Sequence, residues 1–201
     1  MTGSFKYNCS EARLSTQENP QIALNRAIRE HVDEWDDAKT LLMFYYTGHG
    51  MVKESDRRLQ FYAGPGRRVK SHCEPKAYWD EAEMPLLNSR TMSDTLVFLD
   101  CCFAGNAQKG HVNKPRIYEL LAAAPPEEST PAPGPRSFTN SLINCVAELL
   151  GGGAEWGFST NKLLARLGRH RSALQTPVLY NQLHKYEQCT ERHVRLAPLE
   201  T

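Results

Sequence analysis

Two adjacent cysteines at the end of an apolar run are the residues of this sequence best suited to covalent chemistry. The run FLDCCFAG (98–105) places Asp100 before Cys101 and Cys102, and a small-residue turn closes it at Gly105. A cysteine is nucleophilic as the thiolate, and a free thiol has a pKa of about 8.5. The chemistry therefore requires a base within reach of the sulfur.

The best candidate for that base is His49, in the stretch YYTGHG (45–50). This stretch also ends an apolar run, and glycines on both sides of His49 allow a sharp turn and leave room for a substrate backbone. Taken singly, each residue has an ordinary explanation. A histidine at a strand end is usually a surface residue, and a cysteine there is usually a small core residue. Together, Cys102 and His49 favour a nucleophile and its base.

The apolar runs that lead into these residues predict neighbouring strands of a parallel sheet. LLMFYY (41–46) and TLVFLD (95–100) are apolar without alternation, which is typical of strands buried on both faces by helices. Asn19-Pro20 predicts the start of an amphipathic helix that extends towards Asp37 and feeds the first strand. Because ligands bind at the carboxyl ends of strands in such sheets, both candidate side chains are expected at one edge.

The other patterns complete an alternation of strands and helices, which predicts a single α/β domain. Ser137 is the candidate cap of one later helix, Ser159 or Thr160 is that of the next, and the Pro-rich stretch 125–136 is an irregular connector. The remaining predicted elements are a short edge strand at 58–63, a helix broken by Pro85 within 76–88, a strand rather than a helix at 117–124, helices at 137–150 and 158–171, and closing strands at 176–180 and 193–199.

Composition argues against several classes of function. The 201 residues carry a net charge of +1 with Lys and Arg spread along the chain, so nucleic acid and anionic membranes are not expected partners. No apolar run approaches the roughly 20 residues of a membrane span, and the first residues do not resemble a signal peptide. We therefore expect a cytoplasmic protein with reduced cysteines. The six cysteines lack CxxC spacing and His72-Cys73 has no second ligand pair, so no metal site is predicted.

The two motifs together resemble the His and Cys boxes of the caspase–metacaspase clan, especially the caspase-like domains of filamentous fungi. The boxes are roughly 50 residues apart, as in caspases, and the likeness extends over residues 5–199. It implies a caspase-hemoglobinase-like sandwich with a mostly parallel central sheet between helices. FKYNCS (5–10) then corresponds to the family's second strand, and the first strand is missing. The implied parts of the single domain 1–201 are a large-subunit-like region at 5–105, a candidate processing loop at 106–116 and a small-subunit-like region at 117–201.

The resemblance also implies roles for individual residues. The metacaspase box consists of Asp, any residue, Cys, any residue, a small residue and Gly. Aligned with residues 100–105, it implies that Cys102 is the nucleophile. Because side chains alternate along a strand, the side chain of Cys101 would then point into the core. His49 would act as the general base and later protonate the leaving amine. Backbone N–H groups of Gly50 and Cys102 would form the oxyanion hole. Asp100 would line a pocket for Arg or Lys, its alternative role being that of a helix cap or turn former.

The activity implied by the resemblance is that of a cysteine-type endopeptidase, which cleaves protein or peptide substrates after Arg or Lys and acts in regulated cell death. Lys109 is the candidate self-processing residue, because Pro115 follows Lys114 and hinders cleavage there. The simpler explanation of Lys109, Lys114 and Arg116 is that they are solubilising loop charges.

Two alternatives to an active peptidase stay open. One is a catalytically weak or inactive relative that serves as a regulatory or scaffolding domain, and the other is an unrelated α/β cysteine hydrolase of a small molecule. The second leaves the small-subunit-like tail unexplained. No cofactor is predicted: some metacaspases bind calcium, but the acidic residues here are scattered as on solvated helix faces, at Asp33, Asp36, Asp37 and Asp80.

Overall fold

The chain forms a mixture of strands and helices in this computed structural model, which describes residues 5–63, 75–107, 115–152, 157–169, 176–183 and 192–199. The strands are β1 (Leu41–Thr47), β2 (His49–Val52), β3 (Leu59–Tyr62), β4 (Lys76–Tyr78), β5 (Asp94–Asp100), β6 (Tyr118–Ala122), β7 (Phe158–Ser159), β8 (Val178–Asn181) and β9 (Arg195–Leu196). The helices are α1 (Pro20–Trp35), α2 (Trp79–Ala82), α3 (Met84–Leu87), α4 (Phe138–Gly151) and α5 (Thr160–Leu167), with a 3₁₀ turn at Ala104–Ala107.

The central sheet has the strand order β1-β5-β6-β8. Its first three strands are parallel, and β8 is antiparallel to β6. Alternate residues of β5 face opposite sides of the sheet. Leu96 and Phe98 pack with α4 and α5, whereas Val97 and Leu99 pack with α1, α2 and α3. The predicted α/β sandwich, with a mostly parallel sheet flanked by helices, is confirmed.

Strand β1 lies at an edge of the central sheet among the described strands. The prediction that residues 41–46 are buried on both faces is wrong, because only one of these six residues is fully buried. Leu42 is buried, but the side chain of Tyr45 is 42% exposed. A continuous apolar run is typical of a strand that is covered on both faces, but β1, which pairs with β5 in this sheet, is only partly covered.

Residues 5–10, predicted as a strand, do not form one. Residues 6–15 are irregular, and the segment packs through its aromatic side chains instead. The ring of Phe5 lies 6.2 Å from that of Phe158, and the hydroxyl of Tyr7 donates to the carbonyl of Ala197 at 2.7 Å. These contacts seat the segment beside β7 and β9, on the face of the central sheet covered by α4 and α5.

A separate three-stranded sheet, β2-β3-β4, follows β1 along the chain. The strand predicted at 58–63 exists as β3, but it is the middle strand of this small sheet and not an edge. The segment 76–88 begins as β4 and continues as α2 and α3, which are separated at Glu83. Pro85 lies in the first turn of α3, so the predicted break near Pro85 is confirmed.

The predicted helix starts are confirmed by their caps. The side chain of Asn19 accepts from the backbone of Gln21 at the start of α1, with Pro20 in the first turn. Ser137 caps α4, and Ser159 rather than Thr160 caps α5. Each cap satisfies a backbone N–H that lacks a partner within its helix.

The strand predicted at 117–124 is confirmed as β6, and the Pro-rich connector 125–136 is irregular as predicted. The closing strands appear as β8 and as the two-residue β9, which pairs with β7. Among the described helices, none has the length and apolar character needed to cross a membrane.

Candidate active site

The His and Cys motifs lie at the same edge of the central sheet, as predicted. The ladder between β1 and β5 ends at the pair Thr47 and Asp100. One residue further, the N–H of Gly48 donates to the carbonyl of Asp100 at 3.3 Å. Because β1 and β5 are parallel, His49 and Cys102 each lie two residues beyond the last pair, on the side where functional residues of such sheets collect.

Gly50 brings the two motifs into direct contact. A Cβ placed on Gly50 would lie 2.3 Å from the carbonyl oxygen of Cys102 and 3.0 Å from the sulfur of Cys101. Only a residue without a side chain allows the start of β2 to approach the turn after β5 this closely. The motif containing His49 therefore packs on the backbone of the two cysteines.

The two cysteines have different environments. Cys101 is fully buried, and burial, followed by the charges of Cys102 and Asp100, raises the pKa of its thiol. Cys102 is half-buried, and it precedes Phe103, which has a φ of 60°. That left-handed conformation is uncommon for an aromatic residue and turns the chain sharply after the cysteine. The predicted burial of Cys101 is confirmed, and Cys102 is the more accessible of these two adjacent thiols.

The sulfur of Cys102 makes its hydrogen bonds to Thr130. The backbone N–H of Thr130 donates to Sγ at 3.4 Å, and its hydroxyl lies 3.6 Å from Sγ. Thr130 belongs to the Pro-rich connector 125–136, which passes over the turn that follows β5. Thr130 was not predicted as a site residue, because the sequence of an irregular connector does not indicate the path that it takes.

The imidazole of His49 is exposed, and within the described chain no hydrogen bond joins it to Cys102. The backbone around His49 is nevertheless held firmly. Its carbonyl accepts from the hydroxyl of Tyr46 at 3.0 Å, and the ring of Tyr46 stacks on Phe61 with centroids 3.7 Å apart. The structure thus brings the two backbone segments together, but within the described residues the imidazole of His49 and the thiol of Cys102 make no hydrogen bond to each other.

The carboxylate of Asp100 is held by two hydroxyl groups that were also not predicted from the sequence. The hydroxyl of Tyr45 donates to Oδ2 at 3.1 Å, that of Thr139 donates to the same oxygen, and the two hydroxyls lie 2.9 Å apart. Burial raises the pKa of Tyr45; the hydrogen bond with Thr139 opposes this shift and the charge of Asp100 adds to it, so this hydroxyl stays a donor. The carboxylate makes these bonds to side chains and not to backbone amides of a helix start, which disfavours the helix-cap alternative.

Two further predictions concern the loop after the nucleophile. Lys109 and Lys114 lie outside the described residues, so the self-processing prediction stays a prediction. Arg116 is described, and its explanation as a solubilising loop charge is wrong. Its side chain is buried, and its guanidinium donates to the carbonyls of Ser93 and Leu86.

Among the described residues, no group of three or more His, Cys, Asp or Glu side chains is arranged to hold a metal ion. The candidate site thus consists of the thiol of Cys102, the exposed imidazole of His49, whose backbone segment contacts that of the cysteine, and the carboxylate of Asp100, which is fixed by two hydroxyls. This set of groups suits acyl transfer through a covalent intermediate.

Comparisons with known proteins agree with this fold. The sequence profile of the caspase domain family matches residues 1–183. Caspase-1 from Spodoptera frugiperda is similar in structure, with a TM-score of 0.52 and 14% identity, covering 81% of this chain and 68% of that one. Protein GSU0716 from Geobacter sulfurreducens has a TM-score of 0.60 and 13% identity, covering 90% of this chain and 79% of that one. At these identities, the structural likeness concerns the fold alone. No curated protein matches the chain.

Proposed function

Because this chain belongs to the caspase domain family, we propose that it is a cysteine-type endopeptidase in which Cys102 is the nucleophile and His49 the general base. The single observation that carries the proposal is the packing of Gly50 on Cys102, by which the two motifs touch each other. The resemblance of both motifs to those of fungal metacaspase-like domains supports the same assignment. Thiolate catalysis of this kind requires no cofactor.

In this proposal the Cys102 thiolate attacks the scissile carbonyl of a peptide. The negative charge that develops on the carbonyl oxygen is stabilised by the backbone N–H groups of Gly50 and Cys102. His49 takes the thiol proton and gives it to the leaving amine, and water then hydrolyses the acyl-enzyme. The exposed imidazole is compatible with this role, since catalytic hydrogen bonds are often long or poorly aligned before substrate binds and tighten only in the complex.

We further propose that Asp100 selects an Arg or Lys side chain before the scissile bond. Its carboxylate lies at the end of β5, two residues before Cys102, and the hydroxyls of Tyr45 and Thr139 fix its orientation. A fixed carboxylate pairs with an Arg fork through two hydrogen bonds and with Lys through a point charge. The same preference supports Lys109 as a self-cleavage point. Protein substrates, a cytoplasmic location and a part in regulated cell death complete the proposal.

The second candidate is a catalytically weak or inactive caspase-like domain that regulates or scaffolds other proteins. The observation in its favour is the absence of a hydrogen bond between His49 and Cys102 in the described chain. The two candidates differ in one measurable property, the reactivity of Cys102 towards a substrate-like electrophile.

The deciding experiment is labelling of the purified full chain with a fluorescent peptidyl acyloxymethyl ketone that carries Arg next to the warhead. The peptidase proposal expects labelling of the wild type and of Cys101→Ala, and none of Cys102→Ala. Cys101→Ala is the matched control, because it removes the adjacent buried thiol. A folded wild type that neither takes up the label nor cleaves basic peptides would favour the scaffolding function.

A further inference from the structure

Thr130 touches the sulfur of Cys102 with two groups that can donate hydrogen bonds. Its backbone N–H points at Sγ from 3.4 Å, and its hydroxyl oxygen is 3.6 Å from Sγ. A thiolate accepts hydrogen bonds from both groups, whereas a thiol is a weak acceptor. Hydrogen bonds that are stronger to the charged form favour that form.

From this contact we infer that Thr130 is a positioning residue that holds the sulfur of Cys102 and stabilises its thiolate. The inference rests on the proposed function, in which Cys102 is the nucleophile, and adds a residue to that site. It also gives the Pro-rich connector a role. The connector carries a donor across 28 residues of sequence to the thiol of Cys102.

Backbone hydrogen bonds fix the connector to the turn that follows Cys102, so the donor is held in place before substrate arrives. The N–H of Phe103 donates to the carbonyl of Glu128 at 2.6 Å, and the N–H of Gly105 donates to the carbonyl of Ala124 at 3.0 Å. Gly105 is needed for this approach, since a Cβ there would lie 2.4 Å from the backbone nitrogen of Pro126.

Side-chain hydrogen bonds also attach the connector at Glu127. Its backbone N–H donates to Oδ1 of Asn106 at 3.0 Å, and the amide of Asn106 donates back to its carboxylate at 2.9 Å. Arg57, at the turn before β3, donates to the same carboxylate at 3.0 Å. Preorganised donors of this kind need no rearrangement when charge forms on the acceptor.

The test is the pH dependence of Cys102 alkylation by iodoacetamide, measured on the full chain. Mass-spectrometric fragment ions distinguish Cys102 from the adjacent Cys101. Thr130→Val removes the hydroxyl at nearly constant shape, Thr130→Ser keeps the hydroxyl, and Ser129→Ala is the matched control for an exposed hydroxyl one residue away. Circular dichroism establishes that each variant is folded.

We expect Thr130→Val to be alkylated about three- to tenfold more slowly at neutral pH, in line with the loss of one hydrogen bond. Its profile should shift to higher pH and reach the wild-type rate at the alkaline plateau, while Thr130→Ser and Ser129→Ala follow the wild type. A profile unchanged in Thr130→Val would overturn the inference. So would faster alkylation of Thr130→Val at every pH with an unchanged midpoint, because Thr130 would then merely shield the sulfur.

This readout separates the inference from the proposed function. Iodoacetamide reports on the thiol whether or not the protein cleaves peptides. A shifted pH profile in a protein without peptidase activity would therefore support the role of Thr130 and contradict the proposed peptidase function. If cleavage depends on Cys102 but the alkylation profile of Thr130→Val is not shifted, the inferred role of Thr130 is contradicted and the proposed peptidase function is not.

Discussion

The backbone of Gly50 lies against that of Cys102 with no room for a side chain between them. A Cβ on Gly50 would stand 2.3 Å from the carbonyl oxygen of Cys102 and 3.1 Å from the Cβ of Cys101. The obstacle is backbone on one side and a fully buried side chain on the other, so neither can move aside cheaply. The geometry of the candidate site therefore depends on a glycine at this position.

Replacing Gly50 with alanine should destabilise the protein and disable the site. Overpacking of this kind costs about 1–3 kcal/mol, and relief of the clash must move the turn that carries Cys102. Urea unfolding and kcat/KM for a basic peptide measure the two effects. Gly151→Ala is the control, since a Cβ there meets no atom within 4 Å, and its stability should change by about 0.5 kcal/mol or less. Wild-type stability and turnover in Gly50→Ala would contradict the observed packing.

Replacing His49 with alanine should lower kcat/KM for peptide hydrolysis by about 10²–10⁴-fold, the usual contribution of a general acid–base group. Because the imidazole is exposed, the free energy of unfolding should stay close to that of the wild type. His31→Ala is the control. It removes a ring that packs edge-on against Phe44 at 5.1 Å, so it should cost stability and spare turnover. Normal hydrolysis by His49→Ala would remove the base from the mechanism.

The parts of the site carried by regular strands were predictable from the sequence. The apolar runs that became β1 and β5 are local signals, and parallel pairing alone then places His49 and Cys102 at one edge. The burial of Cys101 followed from side-chain alternation at the end of β5. In each case a short stretch of sequence contains the information.

The parts that were missed depend on long-range packing. Thr130 and Thr139 lie 28 and 39 residues from their partners Cys102 and Asp100, and threonine in a connector or a first helical turn has no distinctive pattern. Residues 5–10 have the composition of a strand, but the segment is irregular and the rings of Phe5 and Tyr7 pack into the apolar cluster beside β7. Arg116 was interpreted as a loop charge because the carbonyls that accept hydrogen bonds from its guanidinium are distant in sequence and come close only in the folded chain.

Asp36 should contribute pH-dependent stability at the end of α1. Its carboxylate accepts from the backbone N–H groups of Met92 and Ser93 and from the Ser93 hydroxyl, at 2.7–3.2 Å. Burial raises its pKa, but these hydrogen bonds and the charge of Arg116 outweigh burial, so the net pKa is lowered. A lowered folded-state pKa means stability that is present above the unfolded value of about 3.9 and is lost as the pH falls through the folded value.

Asp36→Ala should therefore cost about 1–3 kcal/mol at pH 7, and the difference from the wild type should shrink below about pH 4. Urea unfolding between pH 3 and pH 7 measures it. Asp33→Ala, at an exposed position of α1, should have little effect at any pH. A penalty for Asp36→Ala that stays constant down to pH 3 would mean that the carboxylate charge is not what stabilises this corner.

The last prediction concerns the hydroxyls that hold Asp100. If its carboxylate pairs with a basic substrate side chain, Asp100→Ala should lower kcat/KM for Arg and Lys substrates by tens- to thousands-fold, since removing one partner of a buried charge pair costs about 2–5 kcal/mol. Tyr45→Phe and Thr139→Val keep the charge but remove its two donors. We expect each to narrow the preference for Arg over its uncharged isostere citrulline by about three- to tenfold, the worth of one hydrogen bond. Arg should be at least as good a substrate as Lys in the wild type.

The matched control for these variants is Tyr46→Phe, the neighbouring tyrosine in β1. Its hydroxyl donates to the carbonyl of His49 and not to Asp100, so it should leave the Arg-to-citrulline ratio unchanged even if turnover falls. Positional-scanning peptide libraries read with every variant give the full preference at the position before the cleaved bond. A basic preference that survives Asp100→Ala, or a wild-type preference for Asp, would show that this carboxylate does not line the pocket. Equal ratios in Tyr45→Phe and the wild type would show that Thr139 alone suffices to orient Asp100.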